Sequence, residues 1–252
     1  MYKNLNNNFF NKEIVILFFL YLTLIISFIL GENSTGGAIN DYIRQKAIVN
    51  AFSDNFYKSL INYEQFTTRH SPVLISFLSV LERLEVNDGI IRIIHLHLCL
   101  LLPLFFFKCL KIKFKSVQTS IFIILISLIF ISPTFRSLAI WPDSRILGLT
   151  FFTIAIYYFL KFEENKKLKF ALSNVLFIAI SSYFSPNFCL FSLFFILKFH
   201  SYYKLFSNNF LIILITNLIL AIPAFYYVFI LDVNFFLKSA AVGIDHNEKI
   251  IF

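Results

Sequence analysis

The sequence predicts an all-α polytopic membrane protein of about seven spanning helices, with amphipathic surface helices in the first outer loop. Three observations predict it. Of 252 residues, 58% are hydrophobic and 35 are Phe, where soluble globular chains sit at about 45–50% apolar. Several apolar runs approach the ~20 residues that cross a bilayer core. The lysines gather in short segments between those runs, in alternate loops, as the positive-inside rule requires.

In chain order, residues 1–13 are Asn-rich, carry Lys3 and Lys12, and read as a cytoplasmic tail. Residues 14–30 form the first span. No small-residue cleavage site follows it, so it reads as a retained helix rather than a removed signal peptide. The outer loop occupies 31–89. The second span is 90–107, with Lys108, Lys111, Lys113 and Lys115 behind it, and the third is 119–132. The fourth is 146–160, followed by KFEENKKLK. The fifth (170–183) and sixth (188–197) are separated by Ser185-Pro186-Asn187, and the seventh (210–231) is expected to kink at Pro223. Spans four to six hold about 10–15 strongly apolar residues each, which at 1.5 Å per residue barely cross a ~30 Å core. Such helices are tolerated inside a bundle. With the N-terminus inside, the 31–89 loop, the 132–145 loop, the Pro186 turn and the tail after Leu231 share the outer face of one domain, residues 1–252.

The net charge of +8 would point to nucleic acid in a soluble chain, but here the topology accounts for it. Cys99, Cys109 and Cys189 lie in or beside apolar runs with no CxxC pair, and read as buried small hydrophobes. His95 and His97 are two apart on a helix and face different ways, a poor metal pair. The chain has no Walker-type loop, GxSxG or HExxH. It calls for no cofactor, and a divalent metal is not indicated.

Polar chemistry concentrates in 31–73. From 41 to 61 the residues Ile43, Ala47, Ile48, Ala51, Phe52 and Leu60 fall near helical spacing, which predicts an amphipathic helix on the membrane surface. A second is predicted over 73–84, started by Pro72. Asp41 opens the first of these helices after Gly36-Gly37. It is placed either to act as general base on an acceptor hydroxyl or simply to sit in the favourable field of the helix N-terminus. Glu32, Asp54 and Glu64 cannot be ranked against it by composition. Arg69 and His70, just before Pro72, suit an anionic group such as phosphate, or are ordinary loop polarity. Arg136, Asp143 and Arg145 gather beside Trp141 between spans three and four. Outward arginines suggest a phosphate or carboxylate partner; the plainer reading is an Asp–Arg pair closing a Trp-Pro turn.

An N-terminal span, a long outer loop with an early Asp, a loop ending in HSP and short spans with small outer loops together resemble the GT-C membrane glycosyltransferases. The nearest likeness is the branch with the protein O-mannosyltransferases and the lipid A aminoarabinose transferase. The likeness runs over about 14–231 and rests on RHSPVLISFLSVLERL (69–84) and SPTFRSLAIWPDSRILGLTFFTIAIYYFLKF (132–162). It implies inverting transfer of a sugar from a polyprenyl-phosphate donor to a lipid, glycan or protein acceptor, on the outer face of a bacterial inner membrane. By the same resemblance Asp41 takes the place of the catalytic first-loop Asp and Asp143 that of the second-loop acidic residue. Arg69 and His70 would lie near the donor phosphate, with Arg136 and Arg145 as further phosphate contacts. Set beside that family, the chain is expected to lack the C-terminal part that completes the acceptor site. One rival class is a transporter or lipid flippase, which would carry ionisable residues at mid-span; these spans carry almost none. A non-catalytic membrane fragment of a glycosyltransferase is the other.

The topology is open to direct test. In a chain with alanine at 99, 109 and 189, Asn50→Cys should react with a membrane-impermeant maleimide in intact cells. Lys115→Cys should react only after permeabilisation. The reverse pattern would overturn the assigned sidedness.

Overall fold

The computed structural model describes residues 5–34, 36–66, 68 and 71–230, without the side chains of 5–12 and 230. Among the described residues every regular element is helical. The first helix, α1 (Leu5–Ile29), starts well before the predicted span. Nothing in LNNNFFNKE breaks a helix, so the apolar run propagates back through the expected tail. It ends where Gly31 takes φ +63°. Glu32 N–H bonds Ser27 O at 2.9 Å and Gly31 N–H bonds Phe28 O at 3.1 Å, a Schellman closure that favours glycine.

The long loop folds into α2 (Ala38–Asp54), α3 (Phe56–Ile61), a 3₁₀ turn at Tyr63–Phe66 and α4 (Pro72–Arg83). The single helix predicted over 41–61 is therefore two. Asn55 ends α2 and caps α3, its side chain accepting from Lys58 N–H at 3.0 Å. The expected apolar stripe is also corrected. The buried face of α2 is Ala38, Tyr42, Gln45, Val49 and Phe52, while Ile43 and Ala47 are exposed. α2 packs on α4, whose buried face is Leu74, Ile75, Leu78 and Ser79. α4 starts as its sequence predicts, with Ser71 capping Val73 N–H and Pro72 in the first turn. At its far end Arg83 reaches back to the carbonyls of Ser53 (2.7 Å) and Phe52 (3.1 Å), a cation on the C-terminus of α2.

The rest is α5 (Asp88–Cys99) running into α6 (Leu101–Lys113), α7 (Thr119–Ile131), α8 (Pro133–Ile140), α9 (Ser144–Asn165), α10 (Leu168–Phe184), α11 (Leu190–Tyr202) and α12 (Asn208–Phe225). A π turn, Tyr226–Ile230, follows α12. The seven predicted apolar runs are helical over their described residues except Leu30, Leu100 and Ser132. Among the described residues three helices are long and apolar enough to cross a membrane: Asp88–Lys113, Ser144–Asn165 and Asn208–Phe229. A fourth is added if α7 and α8, bent by 62°, count as one span; Glu13–Ile29 and α10 are apolar but shorter. These helices fit a membrane protein. The fourth run is longer than predicted. α9 continues through Lys161–Asn165 for 22 residues, about 33 Å at 1.5 Å per residue, and Lys166 stops it at φ 53°. Charged residues extend the helix beyond its apolar stretch, and apolarity alone underestimates it.

Two apolar cores result. One joins α1 to α8 and the start of α9; the other joins the rest of α9 to α10, α11 and α12. α9 and α10 lie antiparallel, tied by Asn174 Nδ2 to Ala155 O (2.8 Å) and Ser181 Oγ to Gly148 O (2.7 Å). Gly148 makes this approach possible. A Cβ there would stand 2.7 Å from Ser185 Cβ and 3.1 Å from the Phe188 ring. Cys99 and Cys109 are buried as expected of small hydrophobes, but Cys189 is exposed, because it closes a 3₁₀ turn at the end of the bundle rather than facing a core.

Gly148→Ala should therefore lower thermal stability in detergent by about 1–3 kcal/mol, the usual range for overpacking. Gly37→Ala, with open space around its Cβ position, serves as the control. Equal melting temperatures for the two variants would contradict the close approach.

Candidate functional site

The candidate site is built around the corner between α8 and α9. Ser132 caps Phe135 N–H and Pro133 starts α8, so the chain turns sharply out of α7. Trp141, held extended before Pro142, ends α8. Asp143 then caps α9, its Oδ1 accepting from Arg145 N–H at 2.7 Å. The Arg145 guanidinium folds back onto the same carboxylate, with Nε 3.0 Å from Oδ1 and Nη2 2.6 Å from Oδ2. It also reaches Asp41 Oδ2 at 2.9 Å, across to the first turn of α2. Asp143 is 2% exposed and both its oxygens are taken by Arg145. The Asp41 and Arg145 side chains are 40% and 51% exposed.

A second ion pair sits beside the first. Arg136 Nε and Nη2 bond Glu32 Oε2 at 2.9 and 2.6 Å, and Nη2 also bonds Ser27 Oγ. Burial alone would raise the Glu32 carboxyl. Hydrogen bonds with Ser27, Ser34 and Arg136, and the Arg136 charge, outweigh it and hold Glu32 below the ordinary glutamate value. Trp141 links these pairs to α5. Its Nε1–H donates to Glu32 O at 3.0 Å, the Arg92 guanidinium lies 3.6 Å over its ring, and the Tyr42 ring is 5.8 Å away. Tyr42 donates to Asp88 Oδ1 at 2.5 Å, and Lys46 pairs with the same oxygen at 2.9 Å. Burial, then the Asp88 carboxylate, push the Tyr42 hydroxyl up, so it stays a donor. The cluster holds Glu32, Asp41, Asp88 and Asp143 against Lys46, Arg92, Arg136 and Arg145, and is close to neutral overall.

Of the residues singled out from sequence, Asp41, Asp143 and Arg145 come together, and Arg136 lies in the neighbouring pair. Arg69 and His70 lie outside the described residues. Tyr42, Asp88, Arg92 and Trp141 complete the cluster but were not ranked as site residues. Arg92, a cation near the start of an apolar run, is the signal that would have found them. His95 is buried with Nε2 on Leu138 O at 2.9 Å, whereas His97 bonds Ile93 O and Tyr21. Among the described residues no three His, Cys, Asp or Glu gather as a metal-binding group.

A mainly apolar groove of about 510 Å³ opens at the same end of the bundle. It is lined by the first turn of α4 (Ser71, Pro72), the end of α10 (Tyr183), and α12 with its π turn (Asn217, Pro223, Tyr227). Its link to the ion pairs runs through α9. One turn after Arg145, Gly148 lies against Ser185, between the groove residues Tyr183 and Pro186. Comparison with known protein families, characterised proteins and solved structures finds no match.

The depressed Glu32 pKa fixes a sign. A carboxylate held below its unfolded value stabilises the fold above that value, and the contribution disappears as pH falls through the folded-state pKa. Wild type should melt above Glu32→Gln at neutral pH, and the two curves should converge in acid. A gap that widened on acidification would contradict the Arg136 pairing.

Proposed function

We propose that the chain is a GT-C-type glycosyltransferase of about seven spans, N-terminus inside, in a bacterial inner membrane. In this reading it moves a sugar from a polyprenyl-phosphate donor to a lipid, glycan or protein acceptor on the outer face. The observation that carries the reading is the exposed Asp41–Arg145 pair at the end of the bundle where the apolar groove opens. The groove suits the hydrocarbon chain of the donor and the arginine its phosphate.

The chemistry follows from those roles. The acceptor oxygen attacks the anomeric carbon and its proton passes to the Asp41 carboxylate. The bond from that carbon to the phosphate oxygen breaks, and the electron pair leaves with the phosphate. Arg145 stabilises the charge that develops there. In the resting chain Arg145 is shared between Asp41 and Asp143. A bound phosphate would compete for its outer face and free Asp41, while Asp143, buried and fully engaged, keeps the guanidinium in place. Asp143 is thus a positioning residue rather than a second base. Arg136, paired with Glu32, is placed to support the loop more than the phosphate. Arg69 and His70 precede Ser71 on the rim of the groove, a sequence position that suits donor binding.

The test uses membranes holding wild type, Asp41→Asn or Arg145→Gln, supplied with radiolabelled polyprenyl-phosphate sugars. Wild type should pass label to an acceptor. Asp41→Asn should lose about 10²–10⁴-fold, the range for a general base, at equal protein level. Transfer that survives Asp41→Asn removes that residue from the mechanism, and no transfer with any donor overturns the enzyme reading.

A further inference from the structure

Pro223 lies inside α12, where it removes the N–H that would bond Ile219 O and its ring crowds that carbonyl. At the next rung a side chain from another helix enters the ladder. The Tyr183 hydroxyl of α10 donates to Leu220 O at 2.6 Å and accepts from Ala224 N–H at 3.2 Å. Those two backbone groups are the ones an ordinary α-helix would join to each other. Two residues later the helix widens into the π turn Tyr226–Ile230. A proline, an inserted side chain and a π turn are each recognised causes of a helix break. Here all three fall between 220 and 230.

The break divides one wall of the groove. Asn217 and Leu220 line it before the break, Tyr226 and Tyr227 after it, and Tyr183 lines it from α10. The segment beyond the break also touches the outer helices, with the Tyr227 ring 5.8 Å from that of Tyr63.

We propose that Tyr183 and Pro223 form a latched hinge in α12. The hydroxyl holds 224–230 against the groove, and its release swings that segment and widens the groove to admit a lipid chain. The purpose of the hinge rests on the reading of the groove given above; its mechanics do not.

Backbone hydrogen–deuterium exchange tests it, in detergent and with no donor lipid added. Tyr183→Phe keeps the ring and removes both bonds. Exchange in 224–230 should rise roughly five- to tenfold, as expected from losing about one hydrogen bond's net stability, while α9 and 208–219 stay unchanged. Pro223→Ala restores the missing donor and should slow exchange in the same segment. Unchanged exchange in Tyr183→Phe overturns the hinge, and so does a rise shared equally by α9, α10 and α12. Because no donor is present, failure of the hinge is distinct from failure of the transferase reading.

Discussion

The corner between α8 and α9 depends on the Asp143 carboxylate, buried with both oxygens occupied by Arg145. A buried charge is tolerated only when it is paired and hydrogen-bonded, and this one meets both conditions within two residues of sequence. The same carboxylate caps α9, so one group starts the helix and fixes the guanidinium. From that fixed position Arg145 reaches Asp41, 104 residues earlier. The first turn of α2 is thereby tied to the first turn of α9. Removing the Asp143 carboxylate would leave Arg145 with Asp41 alone, α9 uncapped and the tie between α2 and α9 loosened together.

Trp141 is the second constraint, and it acts through shape. Its ring lies under the Arg92 guanidinium and meets Tyr42, while its indole N–H holds the loop at Glu32. The ion pairs of the cluster are thus joined by aromatic packing rather than by bridging charges. The arrangement leaves Asp41 with Arg145, and Lys46 with Asp88, partly open to solvent. The groove at the same end of the bundle is lined mainly by apolar side chains of α4, α10 and α12.

Much of this was legible in sequence where the signal is local. The apolar runs, the Pro72 helix start and the Asp143–Arg145 turn all follow from neighbouring residues. The face of α2 was not, because that helix mixes polar and apolar positions all round. Its packing is set by α4 and, at Tyr42, by Trp141 and Asp88, which leaves Ile43 exposed. The break at Asn55 was missed because an apolar stripe hides a capping residue. Pairs such as Tyr42–Asp88 and Arg136–Glu32 span 46 and 104 residues, and nothing in a single sequence marks them as neighbours. The length of α9 was missed because lysines and glutamates at its C-terminal end read as a loop, yet they favour helix as well as apolar residues do.

In the proposed reading the Asp41–Arg145 cluster and the groove form one site for a lipid-linked phosphate. A photoreactive polyprenyl phosphate, crosslinked to the wild-type chain in membranes and mapped by mass spectrometry, puts this to the test. Adducts are expected in 179–186 and 217–228, suppressed by excess unlabelled lipid and weakened in Arg145→Gln. Adducts confined to the lysine-rich end around 108–115 and 161–169, or unaffected by competitor, would contradict it.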